Sequence, residues 1–345
     1  MEIRRLETIT RLGLYDCGLS PDGQAVAAVY QEDEGPRLGI WRTRGCDWVH
    51  EVALPGRGIE GPTLPPETPT VTYTRPRFSP DGQRLAAAHV QRGVTVWALP
   101  QGEILFDHTF DRGEPVAAHA FGPSGRTLAV AQGDRVQFWS VDDRRWLAAV
   151  AMPSEVASLG ASADGQLLGV GLQAGGAAVV DVPSRQVVAH RPEITQTVTA
   201  LAFAPEEPWL LAATAPSFEV VGGRRHRTEH GWAHLWNYRT GQEVARIPCD
   251  NHAALLGAGR YLATLTDNSR SLWIWHILRN EVVAHIENVV PEAMVDEERG
   301  FEGRRATLTA TPAGDVVAVA GLNRPFSAVG ALHLYAFQAE AVPQL

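Results

Sequence analysis

Lysine is missing from this sequence of 345 residues, so all 30 of its Lys and Arg positions are arginine. The absence excludes a Schiff-base lysine, a lysine general base and the lysine of a phosphate-binding P-loop. Arginine codons are rich in G and C, so codon bias in a high-GC bacterial genome is one explanation, and selection against lysine modification is the other. We favour codon bias, because arginine and lysine both serve on solvated surfaces.

Cysteines and long apolar runs are also scarce. The three cysteines, Cys17, Cys46 and Cys249, are far apart and form no C-x-x-C pair, so neither a disulfide framework nor a structural zinc site is expected. No run of 18 apolar residues occurs, and the first residues alternate between polar and apolar instead of forming the core of a secretory signal. We therefore expect no membrane span and a cytoplasmic location.

The charge balance is acidic, with a formal net charge of −9 at pH 7. Nucleic-acid binders need a basic face for the phosphates, so a dedicated nucleic-acid partner is not expected. Apolar residues make up 45% of the chain and charged residues 20%, a composition typical of a folded chain with ample core. No G-x-S-x-G, glycine-rich phosphate loop or calcium loop is present, and we predict no catalytic residue, metal or cofactor.

A turn element recurs seven times along the chain. It begins at Ser20, Ser79, Gly122, Ser162, Ala204, Leu256 and Thr311 and ends three residues later, most often on glycine. Proline at the second position fixes φ and glycine at the fourth allows a positive φ, so each copy is a tight reversal between strands. Three residues after each turn stands an aliphatic residue: Val26, Leu85, Leu128, Leu168, Leu210, Leu262 and Val317.

A second landmark follows each turn, at the end of another short alternating segment. It is Trp41, Trp97, Trp139, Trp236 or Trp275 in five units, and Val180 or Tyr335 in the other two. A further turn and strand come next, which gives four strands in each of seven units. This pattern resembles the WD-repeat family and covers nearly the whole chain, although no Gly-His or Trp-Asp dipeptide is present.

The resemblance implies an all-β fold, a single seven-bladed β-propeller of four-stranded antiparallel blades with structural tryptophans. In this family the N-terminal strand completes the last blade, so residues 2–9 are predicted to close the ring by pairing there. The predicted blades are 10–54, 70–108, 114–151, 154–191, 196–248, 250–286 and 304–338. WD-repeat proteins typically have a buried polar network that joins a Trp, a His and an Asp. Because the Gly-His and Trp-Asp dipeptides are missing here, we expect this network to be absent or degenerate.

Five connections between strands are longer than the corresponding connections in the other repeat units. Segments 31–38, 215–231 and 321–329 lie between the second and third strands of blades 1, 5 and 7, whereas 55–70 and 287–304 join an outer strand to the next inner strand. In this fold both kinds of connection open on one face, so all five are predicted to lie together. Insertions confined to one face of a repeat array indicate a binding surface, and drift in loop length is the alternative.

These segments hold the candidate partner-binding residues, namely a cationic tip, an acidic loop and several aromatic anchors. They are Arg224, Arg225, His226, Arg227, Phe218, Glu297, Glu298, Phe301, Arg324 and Phe326. The opposite charges would either steer a partner or pair with each other, and each phenylalanine would either contact a partner or hold its own loop in place. The sequence leaves both alternatives open.

The segment from His226 to His230 also matches the zinc motif H-x-x-E-H, but that motif requires a helix, and this copy lies between strands with glycines on both sides. We interpret it as a chance match. The sequence therefore predicts a non-catalytic protein-interaction scaffold that binds another protein, of unknown identity, through the loop-bearing face. The alternative is a propeller-type enzyme or small-molecule sensor, with a closed pocket of converging carboxylates or a metal at the mouth of the central channel.

Overall fold

The computed structural model describes residues 2–12, 14, 16–32, 35–53, 73–89, 93–110, 115–222, 224–266, 271–289, 306–322 and 329–339. The described residues form seven four-stranded antiparallel sheets and one two-stranded hairpin. Two short 3-10 turns, Pro123–Gly125 and Gly257–Gly259, are the only helical elements among them. Within these ranges no helix has the length and apolar character needed to cross a membrane.

The strands follow one another along the chain in blade order. The first strand, β1 (Glu2–Leu12), belongs to the last blade. Blade 1 contains β2 (Cys17–Leu19), β3 (Ala25–Glu32), β4 (Gly35–Arg42) and β5 (Trp48–Ala53), and blade 2 contains β6 (Tyr73–Phe78), β7 (Arg84–His89), β8 (Gly93–Ala98) and β9 (Ile104–Thr109). Blade 3 contains β10 (Val116–Phe121), β11 (Thr127–Gln132), β12 (Arg135–Ser140) and β13 (Arg145–Ala151), and blade 4 contains β14 (Val156–Ala161), β15 (Leu167–Leu172), β16 (Ala177–Asp181) and β17 (Gln186–Arg191).

The remaining three blades continue this pattern with one addition. Blade 5 contains β18 (Val198–Phe203), β19 (Trp209–Thr214), β22 (Gly231–Asn237) and β23 (Glu243–Cys249), with the hairpin strands β20 (Ser217–Val221) and β21 (Arg224–Glu229) inserted between its two middle strands. Blade 6 contains β24 (Ala253–Leu256), β25 (Tyr261–Thr266), β26 (Ser271–His276) and β27 (Glu281–Ile286). Blade 7 contains β28 (Thr307–Ala310), β29 (Val316–Leu322) and β30 (Val329–Gln338), and β1 is its outer strand.

The inner strands of the blades form a closed ring. Strand β2 lies against β6, and the contacts continue through β10, β14, β18, β24 and β28 back to β2. The apolar core lies between blades, because each of the seven junctions holds a cluster of buried side chains from the two blades that meet there. The seven-bladed propeller predicted from the sequence is therefore confirmed.

The ring closes where the first strand meets the last blade. Strand β1 pairs antiparallel with β30 from Glu2 opposite Gln338 to Leu12 opposite Val329, with a bulge between Arg5 and Glu7. The predicted closure is confirmed, and the closing strand reaches Leu12, beyond residue 9 where the sequence pattern ended. Ile9 is 5% exposed and packs in the cluster between blades 7 and 1, so the seam belongs to the core.

One buried polar group lies in this seam. His333 of β30 is 3% exposed, and its Nδ1 accepts a hydrogen bond from Arg5 Nη2 at 2.7 Å. The hydroxyl of Thr8 lies 3.0 Å from the same nitrogen. Burial, and to a lesser extent the positive charge of Arg5, lowers the pKa of His333 to about 4. The seam is therefore built around a neutral imidazole.

The recurring turns owe their shape to a local hydrogen-bond network. In the first copy the Ser20 hydroxyl donates to Asp22 Oδ1 at 2.6 Å, and the same oxygen accepts the Gln24 backbone N–H at 3.0 Å. These bonds, chiefly that from Ser20, hold the pKa of Asp22 below its ordinary value. The same serine–aspartate bond recurs in Ser79 with Asp81 and Ser162 with Asp164. The aspartates are thus structural parts of the turns.

The aliphatic and landmark positions of the sequence pattern turn out to be cross-strand partners. In every blade the aliphatic residue of the second strand lies opposite the landmark of the third. The pairs are Val26–Trp41, Leu85–Trp97, Leu128–Trp139, Leu168–Val180, Leu210–Trp236, Leu262–Trp275 and Val317–Tyr335. The repeat is therefore one packing contact made seven times.

The indole nitrogens of the landmark tryptophans differ in their hydrogen bonds. The buried Nε1 atoms of Trp97 and Trp236 have no hydrogen-bond partner among the described residues. In blade 6, Trp275 Nε1 donates to Thr264 Oγ1 at 3.1 Å. The indoles therefore contribute mainly as apolar bodies in the junctions between blades.

Deleting residues 2–9 should destabilise the whole ring, because it exposes a blade junction and leaves β30 without its partner. We expect a single unfolding transition at a clearly lower temperature, measured by scanning calorimetry. Ile9→Ala should lower the free energy of unfolding by roughly 2–4 kcal/mol. The matched variant Thr10→Ala, at an exposed neighbouring position, should change it by less than about 0.5 kcal/mol. Equal melting of the truncated and intact chains would contradict the seam.

Acid should weaken the seam through His333. Its folded pKa of about 4 lies below the ordinary value of 6.5, so the unfolded chain binds this proton more readily. The stabilisation is fully present above pH 6.5 and is lost as the pH falls towards 4, by an amount on the order of 3 kcal/mol. His333→Gln should flatten this part of the pH profile in urea unfolding experiments. An identical slope in the variant would show that His333 is not responsible.

Candidate functional site

The predicted insertions interrupt connections at one end of the blades. Because neighbouring strands are antiparallel, the connection from second to third strand and the connection from outer to next inner strand lie on the same face, which we call the top face. For each of the five long segments, the strand ends on either side of it lie on this top face. Segments 54–72, 290–305 and 323–328 lie outside the described residues, and so do the candidates Glu297, Glu298, Phe301, Arg324 and Phe326.

The extra length in blade 1 extends strands. Segment 31–38 was predicted to be a loop, but β3 and β4 continue to pair until Glu32 lies opposite Gly35. Each of these strands has eight residues, against six in β7 and β8 of the next blade. The loop prediction is wrong here, because the strand pairing continues through Gln31 opposite Pro36 and Glu32 opposite Gly35.

The extra length in blade 5 forms an ordered hairpin. Strands β20 and β21 pair from Ser217 opposite Glu229 to Val221 opposite Arg224. The turn begins at Gly222, whose φ is +61°. The loop predicted for this segment is therefore wrong, and Gly-Gly between two strand-length segments is the hairpin signal in the sequence. The hairpin extends the two middle strands of blade 5 beyond the top face.

The base of β20 is held by a buried amide. Gln196, in the connection that leads into blade 5, is 8% exposed. Its Nε2 donates to the His230 carbonyl at 2.9 Å and to Ser217 Oγ at 3.2 Å, and its Oε1 accepts from Thr214 Oγ1 at 2.8 Å. Thr214 Oγ1 in turn accepts the backbone N–H of Trp232 at 2.9 Å. These bonds fix the points where both hairpin strands leave the blade.

The base of β21 is held by an ion pair. Arg227 Nη1 lies 3.2 Å from Asp250 Oδ1, and the Asp250 side chain is only 6% exposed. The Arg227 guanidinium lies 5.9 Å from the centroid of the half-buried Phe218 ring, and its Nη1 also donates to His230 Nδ1 at 3.3 Å. Arg227 and Phe218 therefore make contacts within the protein, one of the two alternatives that the sequence left open.

A second cluster supports the hairpin from outside. Trp232 Nε1 donates to Glu229 Oε1 at 3.2 Å. The Arg246 guanidinium lies 4.1 Å from the Trp232 ring centroid, and its Nη2 lies 3.8 Å from the same Glu229 oxygen. Gln196, Asp250 and Trp232 therefore each form a contact that holds the base of the hairpin to blade 5 or to a neighbouring connection.

The zinc-like motif lies on this hairpin. His226 and Glu229 are exposed on β21, and His230 follows directly after the strand. In a strand, residues i and i+4 lie on the same face but about 13 Å apart, too far for two histidines to bind one metal ion as they do on a helix. Within the part of the chain that the structure describes, no group of three or more His, Cys, Asp or Glu side chains is placed to hold a metal ion.

The tip of the hairpin presents two apolar side chains that the sequence analysis did not single out. Val220 is 69% exposed and Val221 is 55% exposed. Glu219 and His226, which lie opposite each other across the ribbon, are also exposed. The signal in the sequence was the Val-Val dipeptide directly before Gly-Gly, in a segment that belongs to no blade.

Most other exposed apolar side chains among the described residues repeat from blade to blade. Trp48, Ile104, Trp146, Val187 and Val282 each lie on an outer strand opposite the landmark residue of their own blade. Trp48 packs edge-on against Trp41, with the ring centroids 4.9 Å apart. The repeat accounts for these residues, whereas Val220 and Val221 fall outside it.

A cavity of about 190 Å³ opens on the opposite face, between blades 1 and 2. Its lining combines turn residues with apolar side chains, among them Asp22, Asp81, His50, Phe78 and Leu99. Asp22 and Asp81 are each bonded to the serine of their own turn. This cavity lies away from the top face and its carboxylates already serve the turns.

Comparison with known proteins identifies the fold and no family. No family model matches the chain, and no curated protein matches it significantly. Among solved structures, the β-propeller domain of Cps50 (Swd1) from Myceliophteria thermophila matches with a TM-score of 0.71 and 15% sequence identity. The match covers 98% of this chain and 100% of that one. At this identity the likeness establishes a β-propeller fold alone.

Removing the Arg227 side chain should loosen the hairpin, because a buried carboxylate then loses its ion pair. For Arg227→Ala we expect faster hydrogen exchange across 217–229 and a loss of roughly 1–3 kcal/mol in the free energy of unfolding. Arg246→Ala, in which the side chain removed is 44% exposed, should cost less than about 1 kcal/mol. Combining Arg227→Ala with Asp250→Asn should recover part of the loss, and strictly additive effects would contradict the coupling.

Proposed function

We propose that the chain is a non-catalytic protein-interaction scaffold that binds a partner protein through its top face. The observation that carries this proposal is the hairpin β20–β21, which projects from that face with Val220 and Val221 exposed at its tip. Exposed apolar side chains at the end of an ordered element are typical of contact surfaces. The contacts of Gln196 and Asp250 at its base limit the conformational entropy that a partner would have to remove.

The proposed surface runs over blades 5, 6, 7 and 1. Blades 3 and 4 have short top connections, at Gly133 to Asp134 and at Gln173 to Gly176. The long connections predicted from the sequence lie in other blades, and two of them contain the candidates Glu297, Glu298, Phe301, Arg324 and Phe326. We include these residues in the proposed surface with Arg224, Arg225 and His226, and we add Val220 and Val221.

A cytoplasmic setting forms part of the proposal. The three cysteines are free thiols, and Cys17 and Cys249 are buried. Free buried thiols suit a reducing compartment. The propeller fold hosts many unrelated functions, so the proposal depends on the hairpin and its surroundings and not on the shared architecture.

The test begins with a partner captured from the native host by the tagged, intact chain. Arg224→Glu combined with Arg225→Glu should slow association of the purified partner and change its salt dependence, because rim charges act mainly on the on-rate. Val220→Ser combined with Val221→Ser should speed dissociation, because a desolvated apolar contact acts after docking. Both rates are read by surface plasmon resonance.

The matched control reverses two exposed arginines of bottom-face turns, Arg239→Glu with Arg260→Glu. It changes the net charge equally and should leave both rates within about twofold, since distant charges are screened. A partner footprint lying wholly on blades 3 and 4 or on the bottom turns would overturn the proposed surface.

A further inference from the structure

Within the described ranges, the hairpin of blade 5 is a two-stranded ribbon whose edges pair with no further strand. Inside the blade, β19 and β22 are flanked by β18 and β23. Above the blade, β20 and β21 pair with each other, and no third strand joins them among the described residues. In an antiparallel ribbon, alternate residues direct their N–H and C=O groups away from the partner strand. An open edge of this kind is a template for another strand.

Charge distinguishes the two edges. Strand β21 carries Arg224, Arg225 and His226, whereas the facing residues of β20 are Val221, Val220 and Glu219. Arg227 lies deeper and pairs with Asp250, and Glu229 lies deeper and contacts Trp232. The outer half of β21 is therefore cationic on a chain whose formal net charge is −9. A negatively charged segment would be drawn to β21 in preference to the rest of the surface.

The exposed valines favour a strand over a flat surface as the occupant. Successive residues of a strand point to opposite faces, so Val220 and Val221 lie on the two sides of the ribbon. A strand added along β21 places its own side chains on both faces of the ribbon, and because it lies about 10 Å from β20, only its long side chains can reach across β21 to each valine. A membrane surface would meet only one side, and one valine with one basic edge gives weak interfacial binding.

From these observations we propose that the outer half of β21 binds an acidic, extended segment of a partner protein as an added third strand. This inference rests on the proposed function and names the chemistry of its partner. The outward-facing N–H and C=O groups of alternate residues in the outer half of β21 would supply the strand hydrogen bonds, and the arginines would select acidic side chains. The valines would favour apolar side chains long enough to reach across β21. The contacts at the hairpin base hold the ribbon ready for this addition.

The experiment uses the intact chain and a random peptide library displayed on phage. We expect the selected peptides to be acidic, free of proline and rich in strand-forming residues, with long apolar side chains among the acidic ones. Synthetic copies should bind in fluorescence polarisation, and methylation of alternate backbone nitrogens should weaken them at least about tenfold, because it removes strand hydrogen bonds. Arg224→Glu with Arg225→Glu should cause a similar loss and should select basic peptides in a second round. Arg239→Glu with Arg260→Glu serves as the matched control and should bind as the unaltered chain does.

Several outcomes would overturn the inference. They are a selection that returns no peptide or no acidic enrichment, peptides that tolerate backbone methylation, and peptides that bind the charge-reversed chain equally well. Binding of the intact chain to phosphatidylserine vesicles, lost on Val220→Ser with Val221→Ser, would assign the tip to a membrane surface instead. If the inference fails but the captured partner still maps to the top face, the proposed function stands. A partner that maps elsewhere removes the proposed function itself.

Discussion

The structure depends on apolar contact between neighbouring blades, because no blade has a core of its own. Strand β3 shows how this works. Val26, Ala28 and Tyr30 pack towards blade 7, whereas Ala27 and Val29 pack towards blade 2. A middle strand that is buried on both faces is apolar at nearly every position, and this differs from the alternation of a sheet with one wet face. Each blade therefore needs both neighbours, and the ring is stable only when it is closed.

The same constraint determines where surface features can form. The neighbouring blades end at the top of blade 5. The buried residues there are polar, namely Gln196 and Asp250, whereas the buried residues further down the blade are mainly apolar. Above the top of blade 5 the two strands continue without flanking sheets, and their side chains become valine, arginine, histidine and glutamate. The hairpin keeps the strand geometry of the blade while its edges face outward. This makes it a rigid element on which binding residues can be placed.

The parts of the fold that the sequence predicted are those determined by local chemistry. The serine, aspartate and glycine of the turns that begin at Ser20, Ser79 and Ser162 act within a few residues. Trp41 and Val26 are separated by a single strand-turn-strand unit. Segment 215–231 was misinterpreted because a ribbon exposed on both faces has no buried side to impose alternation, so its arginines and glycines suggested a loop. The role of Arg227 was equally hidden, because its partner Asp250 lies in a separate connection and no periodicity relates the two residues.

The seam between β1 and β30 also bears on how the chain is synthesised. Glu2 pairs with Gln338, so β1 leaves the ribosome more than 300 residues before its partner strand β30. Until then Ile9 and its cluster have no partner, while synthesis proceeds at about 5–20 residues per second. The entropy of closing so long a loop is modest, since each doubling of loop length adds only about 0.6 kcal/mol. The delay between the synthesis of β1 and that of β30 matters more for correct folding. During this time the unfinished propeller has an open blade edge that can pair with a second nascent copy.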